Sequence, residues 1–373
     1  MRLSGRPVPK VPRWSYLRRR RQRVGRLPCL LTSKRYVGLC VMVALFLYYH
    51  QDLRPPRFDQ SLSALRASQT PRDRKQATVV KSIVMVLFGV PKEFPTVWRF
   101  YRKYLMDANP EIHFSVAIHL YSDIQVLTNL KNNETSVAIA SADDIRAILS
   151  NTNATVVQSS QLEYDQSLTW IRPEHVVGRM KAPPWTVDTM KNMFRQGNSM
   201  LLAYQEAVRS FPDADGYLFA RSDTLLIRPT VLRTRNVQAN DLYLPSWQVF
   251  KDEYVDRFAY AGGQAAASVY AESKAIAFAE YIRSDRDDFW RCSERLLRIY
   301  IEEYNNNTSR SNSGSDRPFT VSVHLESRKL KWAPLLRVRG GGMLNERDYH
   351  DFVDKKWSGA DYPMADFLSS KTQ

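Results

Sequence analysis

Arg221 and Asp223 stand two residues apart, directly after a short apolar run from Tyr217 to Ala220. The run has no polar interruption and follows an Asp-Ala-Asp-Gly turn segment, which is typical of a buried parallel strand. Ligands of open α/β sheets bind beyond the carboxyl ends of the strands, so we expect Asp223 where a metal or a diphosphate would lie. The alternative is that Asp223 caps a turn and Arg221 pairs with some carboxylate.

These two side chains could do different chemistry at a strand end. A carboxylate such as Asp223 can ligate a divalent cation, whereas the guanidinium of Arg221 can bind phosphate directly and in a bidentate manner. Either arrangement would neutralise a departing diphosphate, as transfer from a nucleotide-activated donor requires. A literal Asp-x-Asp pair, Asp213 and Asp215, precedes the strand, so we expect it to form a turn at the opposite edge of the sheet.

Two further carboxylates are candidates for catalysis. Asp256 precedes Gly262 and Gly263, which could approach a ligand closely and open a helix whose N-terminus favours anions. Asp256 could be a base, bind a sugar hydroxyl or cap that helix. Glu294 opens an amphipathic helix, either as a base or as a complement to the helix dipole.

Two late residues complete the set of candidate ligands. His324 ends a predicted strand and could complete a metal shell with Asp223, or it could be structural. Arg339 is a candidate for nucleotide binding, because it precedes three glycines whose backbone amides could wrap a phosphate. The same glycines could instead form a flexible exit from the last strand.

The elements that must position these residues alternate between strand and helix from residue 78 onward. The helix 187–208 is the crossover that delivers the chain to the strand before Arg221. This order predicts a doubly wound α/β domain. The predicted strands are 79–89, 113–120, 154–158, 217–220, 241–245, 319–325 and 335–338. The predicted helices are 94–106, 142–149, 187–208, 262–272 and 289–304, and residues 305–317 are predicted to form a loop.

The net charge of +16 is concentrated in the first 35 residues. Twelve Lys or Arg and no acidic residue occur there, which leaves only +4 over the rest of the chain. A nucleic-acid-binding domain would carry its basic stripe on the folded body. The charge distribution therefore disfavours nucleic acid as a partner.

The basic tail is followed by residues 36–49, which contain no charged side chain. As a helix they would span about 21 Å, short of the roughly 30 Å hydrocarbon core, but Lys34 and Arg35 can snorkel and tyrosines lie at both ends. A buried core helix is the alternative, and a cleaved signal peptide fits less well. We therefore predict a signal anchor with a lumenal body. The predicted bounds are a cytoplasmic tail 1–35, a transmembrane segment 36–50, a stem 51–77 and a lumenal domain 78–373.

The cysteines and glycosylation sequons agree with that topology. Cys292 is the only one of three cysteines beyond the anchor, so the body has no internal disulfide, and no Cys/His cluster resembles a zinc site. All four sequons follow the anchor, as expected for a lumenal body. They begin at Asn133, Asn153, Asn306 and Asn307.

Five groups of residues form a pattern across roughly residues 185–345. They are Met193-Phe194-Arg195-Gln196 with Tyr204 on one helix, Gly216 to Asp223, Trp247, Asp256-Arg257-Phe258, and Arg337-Val338-Arg339-Gly340. The pattern resembles that of GT-A-type glycosyltransferases of algae, fungi and plants in which R-x-D replaces D-x-D at the nucleotide-sugar site. The departure from many GT-A enzymes is Arg221, which stands where they have an acidic residue.

The resemblance implies a GT-A-like, Rossmann-type mixed sheet flanked by helices. It also implies that Asp223 is the metal or diphosphate residue with Arg221 beside it, and that Asp256 lies near the donor sugar or the acceptor. GT-A enzymes commonly use Mn²⁺ with a nucleoside-diphosphate sugar, so these are the expected cofactor and donor. Together with the anchor, this predicts a type II Golgi membrane enzyme that transfers a sugar to a glycan or glycoprotein acceptor in the lumen. The alternative is a non-catalytic lumenal protein that binds a nucleotide sugar or glycan on the same fold.

Overall fold

A computed structural model describes most of the predicted lumenal domain, but none of the predicted tail, anchor and stem. Arg339 with its three glycines, Trp247 and Cys292 also lie outside the described residues. No helix in the described part of the chain is long and apolar enough to cross a membrane. The described residues are 79–124, 126–129, 134–175, 186–246, 253–283, 293–310, 320–326 and 335–337.

The strands and helices of the described chain are numbered here in chain order. The strands are β1 Ser82–Phe88, β2 His113–Tyr121, β3 Val126–Asn129, β4 Glu134–Ala138, β5 Asn153–Ser159, β6 Gly216–Arg221, β7 Thr224–Leu226, β8 Asp241–Pro245, β9 Phe258–Ala261, β10 Ser322–Glu326 and β11 Leu335–Arg337. The helices are α1 Phe94–Tyr101, α2 Ala142–Ile148, α3 Gln161–Gln166, α4 Val187–Ser210, α5 Gln264–Glu272, α6 Phe278–Arg283 and α7 Ser293–Arg310. Two π-helical turns, Arg102–Met106 and Ser273–Ala277, continue α1 and α5, and Pro173–His175 is a short 3-10 turn.

A seven-stranded, mostly parallel sheet in the order β10-β8-β9-β6-β1-β2-β5 forms the centre of the fold. Strands β5, β2, β1 and β6 are parallel neighbours, and β8 pairs in parallel with β10. Only β9 runs the other way within this sheet, between β6 and β8. Two separate antiparallel pairs join β7 to β11 and β3 to β4. The prediction of an α/β domain built on a sheet flanked by helices is confirmed.

Side chains of the central strands are buried on both faces of the sheet. Ile83, Met85 and Leu87 of β1 lie in a core cluster with residues of α1, whereas Val84 and Val86 lie in a second cluster with residues of α4 and α5. This alternation follows from the two-residue side-chain period of a strand. A strand covered by helices on both sides therefore reads as a continuous apolar run, as β1 and β6 do.

Several elements differ from the sequence prediction, among them strands β3, β4 and β7 and helices α3 and α6, which were not predicted. Strand β9 was not predicted, because four residues with every side chain buried show no alternation that would mark a strand. Helix α7 continues to Arg310, through residues 305–310 that the Asn/Ser-rich composition had assigned to a loop. Asn306 and Asn307 therefore lie on a helix.

The glycine pair Gly262-Gly263 packs against the protein's own backbone. A Cβ on Gly263 would lie 2.7 Å from the Cα of Ala239, and the amide of Gly262 donates to the carbonyl of Asp241. The prediction that these glycines approach a ligand was therefore wrong. Because they have no side chain, they leave room for the chain segment before β8 to pack against the start of α5.

The direction of β9 decides which end of α5 reaches the carboxyl edge of the parallel strands. Phe258, the first residue of β9, pairs with Ala220 near the end of β6, and Ala261 pairs with Tyr217 near its beginning. Asp256 therefore lies at the carboxyl edge, while α5 starts at the opposite edge and returns. Asp256 does not cap α5, since the N-cap residue is Gly263 and no side chain bonds there.

The Asp-x-Asp pair before β6 lies at the amino edge of the sheet. The carboxylate of Asp215 accepts hydrogen bonds from the amides of Lys81 and Ser82, at 2.9 and 3.0 Å, where β1 begins. The prediction that this pair forms a turn away from the ligand edge is confirmed.

Candidate functional site

The Arg-x-Asp segment lies where the order of strands reverses. From β1 the sheet continues through β2 and β5 on one side and through β6 on the other, so the ligand-binding crevice of such sheets falls between the ends of β1 and β6. Phe88 and Arg221 end these strands in register. The amide and the hydroxyl of Ser222 both donate to the carbonyl of Phe88, at 2.9 and 3.1 Å. The motif is thereby attached to both strands of the switch point.

Arg221 and Asp223 form a bidentate ion pair with each other. Nε of Arg221 donates to Oδ1 of Asp223 and Nη2 donates to Oδ2, both at 2.7 Å. The side chains are 17% and 3% exposed. Burial opposes the charge on Arg221, but Asp223 outweighs it and raises the pKa of the guanidinium. The carboxylate that Arg221 pairs with is therefore its own motif partner.

Helix α1 and helix α4 hold the Arg-x-Asp turn from two sides. The hydroxyl of Tyr101, from α1, donates to the carbonyl of Arg221 at 3.1 Å and lies 3.0 Å from the hydroxyl of Thr224. Nη1 of Arg221 donates to Oε1 of Gln196, on α4, at 2.9 Å. The guanidinium is thus fixed by three hydrogen bonds, which leaves it little freedom to turn away.

A second buried ion pair, between Asp256 and Lys274, lies beside the first. Nζ of Lys274 donates to Oδ2 of Asp256 at 2.6 Å and to its carbonyl at 3.0 Å, and the hydroxyl of Ser293 donates to the same Oδ2 at 2.5 Å. The two charged side chains are 6% and 1% exposed. Burial opposes ionisation of Asp256, but Lys274 and Arg257 hold its pKa well below the usual range. Asp256 is therefore a carboxylate in the folded protein.

The two ion pairs are neighbours in space. The amide of Arg221 donates to the carbonyl of Arg257 at 3.2 Å, which ties the end of β6 to the residue after Asp256. Nζ of Lys274 lies 5.8 Å from the centre of the Phe88 ring, at the end of β1. Both pairs therefore lie at the same carboxyl edge of the sheet.

Lys274 reaches this edge through the π-helical turn Ser273–Ala277. The turn packs directly on α4 at Gly197, where an added Cβ would lie 2.7 Å from the Cβ of Lys274 and 2.8 Å from its carbonyl carbon. Such π-turns are frequent at functional sites. The sequence prediction missed Lys274. A lysine that directly continues an Ala-rich apolar helix is unusual, and this feature of the sequence could have indicated a buried charge.

Glu294 lies in the first turn of α7, next to Ser293. Its Oε2 is 3.1 Å from the hydroxyl of Ser293, and its carbonyl accepts from the amide of Tyr254 at 3.1 Å. Burial and the charge of Asp256 raise the pKa of the Glu294 carboxyl. The two carboxylates therefore differ in basicity, with Asp256 ionised and Glu294 better able to take up a proton. Pairs of carboxyl groups whose pKa values differ in this way perform acid–base chemistry in many enzymes.

His324 is not brought to Asp223. It lies inside β10, not at its end, where its Nε2 is 2.9 Å from Oδ1 of Asp241 and its ring stacks on Tyr243. Strand β10 is three strands from β6, which corresponds to about 14 Å at the usual spacing of strands. Because β9 and β8 intervene, the predicted metal shell of His324 and Asp223 is not formed.

The described donor set does not fit the predicted Mn²⁺. Both oxygens of Asp223 accept from Arg221, and Oδ2 of Asp256 accepts from Lys274. Within the described ranges, no group of three or more His, Cys, Asp or Glu side chains could hold a metal ion. A cation bound at Asp223 would also lie beside the positive charge of Arg221, which opposes binding.

Gln196, which the sequence pattern included without a chemical role, is another residue of the site. Its Oε1 accepts from Arg221, and its Nε2 is buried without a hydrogen-bond partner among the described residues. A buried donor without an acceptor is unfavourable, and few occur in folded proteins. The site therefore offers a donor that an anionic or carbonyl oxygen could satisfy.

A buried histidine supports the loop that follows β1. Nδ1 of His119 is 3.0 Å from the hydroxyl of Ser199 and Nε2 is 2.8 Å from that of Ser159, while the amide of Gly89 donates to the Ser199 hydroxyl at 3.0 Å. Gly89 has φ of +89°, a left-handed conformation that glycine adopts without strain. His119 thus connects β2, β5 and α4 to the loop beside the crevice.

We expect His119 to make the protein less stable at acid pH. Burial lowers the pKa of His119 to about 4, from about 6.5 in an unfolded chain. The folded state keeps the ring neutral. The contribution of the neutral ring to the free energy of unfolding is therefore complete above pH 6.5 and is lost as the pH falls toward 4. The loss is roughly 3 kcal/mol in the free energy of unfolding.

Urea denaturation at pH 7 and pH 4 measures this loss, and His119→Gln should show a pH dependence smaller by roughly 3 kcal/mol. His113→Gln, at the exposed start of β2, is the matched control and should keep the wild-type dependence. An unchanged dependence in His119→Gln would contradict the assignment.

Comparison with known proteins finds structures that resemble this chain in fold but no sequence that matches it. No protein-family model and no curated protein sequence matches the chain. Solved structures that resemble it include the PaToxG glycosyltransferase, at 10% identity, covering 63% of this chain and 73% of that one, with a TM-score of 0.33. An active-site mutant of LgtC has 10% identity, coverage of 66% and 87%, and a TM-score of 0.29.

A third solved structure is the nucleoside-diphosphate-sugar pyrophosphorylase from Vibrio cholerae. It has 12% identity, covers 73% of this chain and 99% of its own, and has a TM-score of 0.32. Since TM-scores this low do not establish a shared function, we base the functional assignment on contacts within this chain.

Proposed function

We propose that this chain is a glycosyltransferase with a GT-A-like fold that transfers a sugar from a nucleoside-diphosphate sugar to a glycan or glycoprotein acceptor. The observation that carries the proposal is the position of Arg221 and Asp223. Arg221 ends β6 and Asp223 follows it in the turn at the switch point of the sheet, where ligands of α/β folds bind. Two carboxyl groups of different basicity, Asp256 and Glu294, lie beside them.

The reaction requires a positive charge that stabilises the leaving diphosphate and a base that takes the proton of the acceptor hydroxyl. As the bond between the anomeric carbon and the diphosphate breaks, the departing oxygens gain negative charge, which the cationic Arg221 can stabilise. The acceptor hydroxyl must lose a proton as it attacks that carbon. We assign this base to Glu294, because its raised pKa makes it the stronger base and Asp256 is held by Lys274. Asp256 has a different role, which is to hold Lys274 and Ser293 in place around Glu294.

The test is a donor panel with the full-length protein in detergent. We expect one UDP- or GDP-sugar to release its nucleoside diphosphate in the presence of an acceptor glycan, with turnover reduced about 100-fold or more in Glu294→Gln. Nucleotide binding by that variant should be retained.

Glu302→Gln is the matched control on the same helix, because Glu302 is half-exposed and pairs with Arg298 on the helix surface. Full turnover by Glu294→Gln would contradict the assignment of the base. Nucleotide binding without release from any sugar donor would instead favour a binding protein on the same fold.

We also propose that the protein is a single-pass type II protein of the Golgi membrane. The support is the uncharged segment 36–49 behind a basic tail, and sequons confined to the part beyond it. A carboxyl-terminal fluorescent fusion should give Golgi puncta, and nuclear fluorescence would contradict this placement.

A further inference from the structure

We propose that the diphosphate of the donor is bound directly by N–H groups of Arg221 and Gln196, with no divalent cation at Asp223. On this view Asp223 is a positioning residue that orients the guanidinium. The inference rests on the proposed function, because it concerns the same nucleotide site, and it departs from the use of Mn²⁺ expected from the sequence.

The first support is the state of the carboxylate. Each oxygen of Asp223 accepts from a different nitrogen of Arg221 at 2.7 Å, and the side chain is 3% exposed. A cation that ligated either oxygen would lie against the guanidinium, which carries its own positive charge. The neighbouring carboxylate of Asp256 already binds Lys274 and Ser293. The other described carboxyl group whose charge acts on Arg221, Glu294, has a pKa raised by burial and by Asp256, which favours its uncharged form.

The second support is the number of donors that Arg221 retains. A guanidinium carries five N–H donors. Three of them are used in the described structure, two on Asp223 and one on Gln196. One N–H on each terminal nitrogen remains, and 17% of the side chain is exposed. Two terminal N–H groups on a rigid planar fork match the geometry of phosphate oxygens.

The third support is Gln196. Because its Oε1 accepts from Arg221, the amide orientation is assigned and Nε2 is the atom without a partner among the described residues. Nε2 can only donate, so it suits a phosphate oxygen and cannot ligate a metal ion. Arg221 and Gln196 therefore present the same kind of group, hydrogen-bond donors, at the switch point of the sheet.

The experiment is calorimetric titration of UDP and GDP into the full-length protein in detergent, in excess EDTA and in excess MnCl₂. We expect the dissociation constant of the nucleotide that binds to agree within about twofold between the two buffers. Gln196→Glu replaces the donor by a carboxylate of the same size, which repels a diphosphate and would recruit a cation. We expect this variant to bind at least about tenfold more weakly in EDTA, with a smaller loss in MnCl₂, where a recruited cation offsets the repulsion.

Gln205→Glu, the same exchange about 14 Å further along α4, is the matched control and should bind like the wild-type protein. Wild-type binding at least about tenfold weaker in EDTA than in MnCl₂ would overturn the inference and leave the proposed function standing. Unchanged affinity of Gln196→Glu in EDTA would also overturn it. Absence of binding by both nucleotides in both buffers would overturn the proposed function together with the inference.

Discussion

Lys274→Met should lower the free energy of unfolding by about 3–5 kcal/mol. The substitution keeps most of the side-chain volume but removes the ammonium group that bonds Asp256 at 2.6 Å. Asp256, which is 6% exposed, would be left as a buried carboxylate without its cation. Breaking a buried pair on one side is costly because the remaining charge has neither water nor a counter-ion. Urea denaturation at pH 7 measures the difference.

Two further variants separate stability from function at this pair. Lys81→Met, on an exposed residue before β1, is the matched control and should change stability by about 0.5 kcal/mol or less. The double variant Lys274→Met/Asp256→Leu replaces the pair by apolar groups, so it should recover most of the lost stability. It should remain inactive, because the groups that order Glu294 and Ser293 are gone. A double variant as unstable as Lys274→Met alone would contradict the ion-pair account.

Arg221→Lys should weaken binding of UDP or GDP by about 10- to 150-fold. Lysine keeps the positive charge but cannot bond Asp223 and Gln196 while also presenting two N–H groups to a phosphate. Each lost hydrogen bond to a charged group corresponds to roughly 1.5–3 kcal/mol. Calorimetric titration of the nucleotide measures the change in dissociation constant.

The matched control is Arg146→Lys on α2, whose ion pair with Asp143 is solvent-exposed and contributes little. It should bind nucleotide like the wild-type protein. Denaturation of Arg221→Lys should show a folded protein, since the charge opposite Asp223 is kept. Nucleotide affinity within about twofold of wild type would contradict a direct role of Arg221 at the phosphates.

Much of the fold could be predicted from local patterns. The strand before Arg221 was recognisable because its side chains are buried on both faces and so form an uninterrupted apolar run. The crossover helix α4 was recognisable because its apolar residues recur with helical spacing over six turns. Both signals are local, and together they placed Asp223 at the carboxyl end of a central strand.

The partners of the candidate residues could not be predicted in the same way. Lys274 and Asp256 are 18 residues apart, and their contact depends on β9 running antiparallel and on a π-turn that follows α5. The contact between Arg221 and Gln196 spans 25 residues and depends on how α4 packs on the sheet. His324 was placed wrongly because its strand number along the chain does not reveal its position across the sheet.

The sequence by itself determined the alternation of strands and helices and the position of the Arg-x-Asp motif at a strand end. Those features depend on side-chain periodicity, which each segment carries alone. The tertiary structure decided that Arg221 donates to both carboxylate oxygens of Asp223 and that Lys274 donates to Oδ2 and to the backbone carbonyl of Asp256. Such pairings depend on strand order and direction, because only these bring distant charges into one low-dielectric crevice.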